Sequence, residues 1–275
     1  MPHARAHAGT YRTRRLPVAD WREAGRSEGN QAGRPAGAKV CRRSDGWPLD
    51  RFAVIERAWD GDTVVCLGGG PGLAAQALER IGAAHERGAV RVIAVNDLYL
   101  VAPWANILYF ADARWWQWHN EGLPKSWPWA SFTAAEVRAR FAAFAGQKVT
   151  IDGTGMMVPD PDVFMLHNHG REGLSEQPNG LHTGMNGGYQ AINLALLAGA
   201  ARVLLAGYDM RFPGGRSHSH NGHPARHPEA NYSLYATKYS TMLPQLKRLG
   251  VEVINCTRDS AIEAFPRGEL ASLLQ

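Results

Sequence analysis

Short, almost uninterrupted apolar runs that alternate with helix-period segments constrain the fold of this chain more than any other feature. The run TVVCL at 63–67 is rich in β-branched residues, and Leu73, Ala77, Leu78 and Ile81 then repeat with a helical period. Further strands are expected at 90–95, 107–110, 148–151, 163–166, 203–206 and 251–254. Helical patterns occupy 187–198 and 232–249, an aromatic helix start lies at Trp115, Trp116 and Trp118, and a short helix is expected near 269–274. Pro244 should bend or split the 232–249 helix. Strands that are apolar along their whole length, separated by helices, predict a doubly wound, mostly parallel, Rossmann-like α/β sheet with helices on both faces.

Ligands of such sheets occupy the crevice beyond the carboxyl ends of the strands. The polar residues just after each strand are therefore the candidates: the loop 68–72, Asn96, Asp97, Asp112, the His-Asn-His at 167–169, Tyr208, Asp209 and Asn255. The loop runs Gly68, Gly69, Gly70, Pro71, Gly72 into a helix. Glycines let a ligand approach the backbone closely, and the N–H groups of a helix start form an anion site worth about 0.3–1 kcal/mol per charge. The spacing is neither a dinucleotide fingerprint nor a P-loop, since no Gly-Lys-Ser/Thr follows. Its position after the first strand favours a nucleotide or phosphate contact over the alternative, a tight β–α turn. A second glycine-rich turn, TGMNGGY from Thr183 to Tyr189, opens the 187–198 helix. There Asn186, Gly187 and Gly188 either hold a diphosphate or sugar carboxylate, or cap a flexible loop.

Histidine is concentrated in one loop. His218, His220, His223 and His227 put four of the chain's eleven histidines within ten residues. One imidazole there can serve as a general base, commonly worth about 10²–10⁴ in rate. Alternatively His218, His220 and His223 with Asp209 suit a zinc site, and a solvated loop without a role is the third reading. Five of the nine tryptophans lie between Trp115 and Trp129, a cluster expected as core or pocket lid, with stacking on a sugar or base as the alternative.

Composition bounds the partners and the compartment. At 45% apolar and 20% charged residues, the 275-residue chain is not disordered throughout. The mean hydropathy is −0.30 and no apolar run nears the roughly 18 residues of a membrane span, so a soluble protein is expected. Residues 1–45 hold nine Arg and one Lys against four acids, a charge of +6, while the whole chain carries +5, so the remainder sums to about −1. The basic excess therefore sits in a leader, 1–45, expected to be unstructured. Residues 46–275 are expected to form a single α/β domain whose order begins near Trp47. A near-neutral body argues against a protein that reads nucleic-acid sequence. Cys41, Cys66 and Cys256 form no disulfide framework, and no secretory h-region is present, so a cytoplasmic location is expected.

The order of elements is a glycine-proline loop after the first strand, Asn after the second, then a glycine-rich turn into GYQAINLALLAGAARVLLAGYD, a histidine-rich loop and a long helix. It resembles the bacterial sialyltransferases of the CMP-sialic-acid-dependent type. It looks closer still to phage and prophage proteins of that layout, and is similar to archaeal hydroxymethylpterin diphosphokinase-like proteins. The resemblance spans about 60–266, is strongest from Thr183 to His223, and returns at 255–260. It implies a nucleotide-binding glycosyltransferase that uses a nucleotide-linked donor and no cofactor, acting on a glycan or modified nucleic acid.

Residue by residue, the family's nucleotide-contacting asparagine and serine are Gly69 and Gly72 here, within its Gly-Asn-Gly-Pro-Ser loop. Asn96 matches a donor-binding asparagine, Gly187 and Gly188 stand at its Ser-Gly, and Gly207, Tyr208 and Asp209 keep its Gly-x-Asp. Arg211 stands near the first of its phosphate-stabilising tyrosines, which are not kept. His220-Asn-Gly-His223 answers its His-x-x-Gly-His segment, one residue shorter, which makes His223 the implied general base with His220 beside it. Helix N-termini and Arg211 would stabilise the departing phosphate without a metal. The pterin-kinase resemblance implies instead Mg²⁺ held by Asp97, Asp112 or Asp209. A zinc-site hydrolase and a non-catalytic phage protein on a decayed transferase fold are the other readings.

Overall fold

The computed structural model describes residues 39–45, 52–121, 133–152, 158, 160–211 and 229–275, all within the unit Pro35–Gln275. Two short strands, β1 (Cys41–Arg43) and β2 (Ala53–Ile55), pair antiparallel. The main sheet contains β3 (Thr63–Leu67), β4 (Arg91–Val95), β5 (Ile107–Tyr109), β6 (Gln147–Ile151), β7 (Val163–Gly170), β8 (Gly180–His182), β9 (Arg202–Ala206) and β10 (Glu252–Asn255). Its order is β10-β9-β3-β4-β5-β6-β7-β8, and all its pairings are parallel. The helices are α1 (Ala75–Glu86), α2 (Ala113–Glu121), α3 (Ala134–Ala142), α4 (Gly187–Ala198), α5 (Glu229–Lys238), α6 (Leu243–Leu249) and α7 (Leu270–Leu273).

Alternate residues of each central strand enter different cores, as the pleat requires. Val64, Cys66, Ile93, Val95 and Ile107 pack with Ile192 and Leu194 of α4. Val65, Leu67, Val92, Ala94 and Leu108 pack with Ile81 of α1, Trp115 of α2 and Phe141 of α3. The sheet is thus covered on both faces, a doubly wound α/β arrangement. Trp115 and Trp116 are core residues of α2, while Trp127 and Trp129 lie outside the described residues. Pro244 sits in the first turn of α6, and a 3-10 turn at Tyr239–Met242 separates α6 from α5.

The folded part begins earlier than Trp47, inside the segment read as a leader. Gln147 of β6 is the reason. Its Oε1 accepts the N–H groups of Val40 at 2.7 Å and Cys41 at 2.9 Å, and its Nε2 donates to Cys41 O at 2.6 Å. Such a tie, 106 residues long, leaves no trace in a three-residue strand. Among the described residues no helix is long and apolar enough to cross a membrane.

Candidate functional site

From β3 the chain proceeds through β4 on one side and returns through β9 on the other, so the strand order reverses at β3. The carboxyl ends of β3 and β9 meet there, at the topological switch point where α/β sheets bind ligands. Gly70 donates its N–H to Gly207 O at 2.9 Å, so the two loops continue side by side past the sheet. Gly207 has φ +76°, a left-handed conformation that favours glycine, and a Cβ on it would lie 2.2 Å from Gly68 O.

Asp209 seals the first loop. Its Oδ1 and Oδ2 accept the Gly72 N–H at 2.9 and 3.1 Å, and only 2% of the residue is exposed. A Cβ on Gly70 would fall 2.1 Å from Asp209 Oδ2, and one on Gly72 2.6 Å from Oδ1. Glycine is therefore needed here first for a carboxylate of the chain itself. Burial raises the Asp209 pKa above the usual carboxylate value, outweighing the Gly72 hydrogen bond and the nearby Arg211 charge. The Gly72 amide is thus already engaged within the chain.

The loop after β10 fixes this arrangement. Tyr208 N donates to Thr257 Oγ1 at 2.8 Å, Ala261 N donates to Asp209 O at 2.7 Å, and Ser260 Oγ donates to Tyr208 O. Asn255 Nδ2 donates to Ser260 Oγ at 2.9 Å. Asn255 thus acts on the site through Ser260. The sequence reading named Asn255 but not this clamp, although Asn-x-Thr-x-x-Ser directly after a strand is its visible signal.

The second glycine turn comes to the same place. The Tyr208 ring is wedged between Gly68, where a Cβ would lie 2.9 Å from Cδ2, and Gly188, where it would lie 2.8 Å from Cε1. Tyr208 also donates its hydroxyl to Gly188 O at 3.2 Å. A Cβ on Gly187 would lie 3.0 Å from Val95 Cγ1, which brings the start of α4 to the end of β4. Asn186 caps α4: its Oδ1 accepts Tyr189 N–H at 2.9 Å and the Tyr239 hydroxyl at 2.8 Å. α1 has no side-chain cap at Ala74.

Asn96, directly after β4, has φ +54°, and the two other non-glycine residues with positive φ, Met185 (+65°) and Met210 (+50°), precede α4 and follow Asp209. All three described strained residues thus lie in the loops around this crevice, where such strain tends to concentrate. Asp112 stands half-buried before α2. Arg211 is exposed and pairs with Asp259 at 3.2 Å. Gly69 is half-buried within the first loop. His218, His220, His223 and His227 lie outside the described residues.

Three other histidines gather at the far edge. The register of β7 against β8 shifts between Asn168 and Gly170, leaving His169 as the extra residue of a bulge. His169 Nδ1 pairs with Ser175 Oγ at 2.9 Å, and the His167 ring lies 5.9 Å away. Burial lowers the His169 pKa, helped by His167 and His182.

The magnesium reading fits these residues poorly. Asp97 is 3% exposed and accepts Trp115 Nε1–H at 2.6 Å, and Asp209 is committed to Gly72. Among the described residues no group of three or more His, Cys, Asp or Glu side chains is arranged to hold a metal.

No protein-family model and no curated protein matches this sequence. Among the solved structures that resemble it are two of the sialyltransferase CstII from Campylobacter jejuni. In the complex with cytidine-5'-monophosphate the identity is 8%, the coverage 76% of this chain and 85% of that chain, and the TM-score 0.42. In the complex with CMP-3FNeuAc they are 10%, 75%, 85% and 0.41. At such values the fold assignment rests on the strand order itself: an eight-stranded parallel Rossmann-like sheet.

Proposed function

We propose that the chain is a glycosyltransferase that takes its sugar from a nucleotide-linked donor bound at the β3–β9 switch point. The observation that carries this reading is the Tyr208 ring, which draws Gly68 of one helix-opening turn and Gly188 of the other to one crevice. Two helix N-termini facing one space suit a phosphate-bearing ligand. Asn96 would contact the donor from the end of β4, and Asp112 would lie at its margin. With Gly72 taken by Asp209, the phosphate would fall to Gly187, Gly188 and Arg211. Asn186 and Asp209 then shape the crevice through the backbone.

A sugar leaves its nucleotide through an oxocarbenium-like state. The protein must therefore stabilise the departing phosphate, a task for backbone dipoles and Arg211. It must also take a proton from the acceptor hydroxyl, the role proposed for His223 with His220 beside it. The resemblance to phage and prophage proteins supports a cell-surface glycan or modified nucleic acid as acceptor, and the three unpaired cysteines support a cytoplasmic setting.

Calorimetry against nucleoside mono- and diphosphates and their sugar conjugates tests the donor site. Binding of at least one, weakened by Asn96→Ala, is the expected result. No heat from any of them at millimolar concentration overturns the reading.

A further inference from the structure

Asn96 adopts a left-handed conformation that costs an asparagine less than most residues but is still strained, so something must hold it. The next residue supplies the hold. Asp97 is a carboxylate buried in an aromatic core, and Trp115 Nε1–H donates to its Oδ1 at 2.6 Å while His119 Nε2 lies 3.3 Å from the same oxygen. His119 is fully buried, and its Nδ1 lies 2.7 Å from the Tyr99 hydroxyl. A carboxylate only accepts, so in the neutral imidazole Nε2 carries the hydrogen and Nδ1 accepts from Tyr99. The order Tyr99 to His119 to Asp97 therefore runs from donor to acceptor in one direction. Stacking stiffens it: the Trp115 ring lies 3.8 Å from His119 and 4.8 Å from Phe110. Trp115 and His119 are one helical turn apart on α2, so both donors come from one rigid element.

We propose that Asp97 is a positioning residue, anchoring the turn after β4 to α2 so that Asn96 stays left-handed at the crevice. This rests on the donor-binding reading for its consequence but not for its geometry. Exposed polar residues would not need a buried carboxylate to hold them, and an apolar residue at 97 would pack in the same core while leaving the turn free.

Asp97→Asn keeps an acceptor oxygen, Asp97→Leu removes it, and the milder Trp115→Phe removes one donor while keeping the ring. The Asn96 backbone conformation is read by its NMR coupling constant and Cα shift in each folded variant, and affinity by calorimetry with cytidine monophosphate and uridine diphosphate. The expected result is a left-handed Asn96 in wild type and Asp97→Asn, and its loss in Asp97→Leu. For whichever nucleotide binds, Kd should rise about tenfold or more in Asp97→Leu, less in Trp115→Phe, and little in Asp97→Asn. A folded Asp97→Leu or Trp115→Phe protein with Asn96 and Kd both unchanged overturns the proposal. Should wild type bind neither nucleotide while Asn96 still reverts in Asp97→Leu, the anchoring stands and the donor reading is what fails.

Discussion

The Asp209 carboxylate holds the Gly72 N–H at 2.9 Å, and a Cβ on Gly72 would strike only that carboxylate, 2.6 Å from Oδ1. Gly70 differs, because its Cβ would also fall 2.5 Å from the backbone oxygen of Gly207. Gly72→Ala and Gly70→Ala should each destabilise by about 1–3 kcal/mol, the usual cost of overpacking. Adding Asp209→Ala should restore most of the Gly72→Ala loss and little of the Gly70→Ala loss. Denaturant unfolding of the two double-mutant cycles measures this; equal rescue would mean that the Gly207 backbone moves freely.

Asp209 should also leave a mark on the pH dependence of stability. Its folded-state pKa is raised above 3.8, chiefly by burial, so the folded protein binds this proton more tightly than the unfolded chain. The stability it contributes is full below 3.8 and is lost as pH rises through the folded value. Asp209→Asn still offers an oxygen to Gly72, so its stability relative to wild type should improve from acid to neutral pH. Melting curves of both proteins across that range decide it, and parallel curves would mean an Asp209 that titrates as if exposed.

His169 should act in the opposite sense. Its pKa is lowered from 6.5, first by burial and then by the charges of His167 and His182, so protonation favours the unfolded chain. Its contribution is present above 6.5 and lost as pH falls through the depressed folded value. His169→Gln should flatten that acid-side loss. Histidine NMR titration checks the premise directly, since a His169 midpoint at or above the free value would remove it.

Much of this architecture was legible in the residues. The 187–198 pattern is α4 to the residue, and the long helix expected over 232–249 is split just ahead of Pro244 into α5 and α6. Strand order was not legible, because parallel pairing is set by crossovers and carries no local mark. The strand β8 is three residues long and escaped notice, while α3 carried a readable Thr133–Glu136 capping box that was passed over. The glycine loop after the first strand was legible, but its tie to Asp209 was not, since nothing in the sequence reveals that a carboxylate 137 residues on would take the Gly72 amide.

The cap on α4 offers a test of the second turn. Asn186 Oδ1 accepts both Tyr189 N–H and the Tyr239 hydroxyl, so Asn186→Ala should cost about 1–2 kcal/mol. Asp also caps well and accepts twice, losing only the 3.2 Å donation from Nδ2 to Gly184 O, so Asn186→Asp should cost clearly less than Asn186→Ala. Its added negative charge should nonetheless weaken anion binding at Gly187 and Gly188. Stability from chemical unfolding and nucleotide affinity from calorimetry would then separate in this one variant; if they fall together, the turn serves the fold alone.

Arg211 and Asp259 form a pair with side chains 45% and 70% exposed, where salt and water leave an ion pair only about 0–1 kcal/mol. So weak a partner yields readily to a phosphate, whose charge-assisted bonds to a guanidinium are worth about 1.5–3 kcal/mol. Asp259→Asn should therefore leave the melting temperature nearly unchanged and tighten nucleotide binding slightly, because Arg211 no longer has to be drawn away. Arg211→Ala should weaken binding about 10–100-fold and make the affinity less sensitive to salt, since one cation fewer meets the phosphate. Titrations of both variants at low and high ionic strength distinguish the roles. If Arg211→Ala keeps the wild-type affinity and salt slope, the phosphate is held by backbone amides alone, and the guanidinium belongs to the surface.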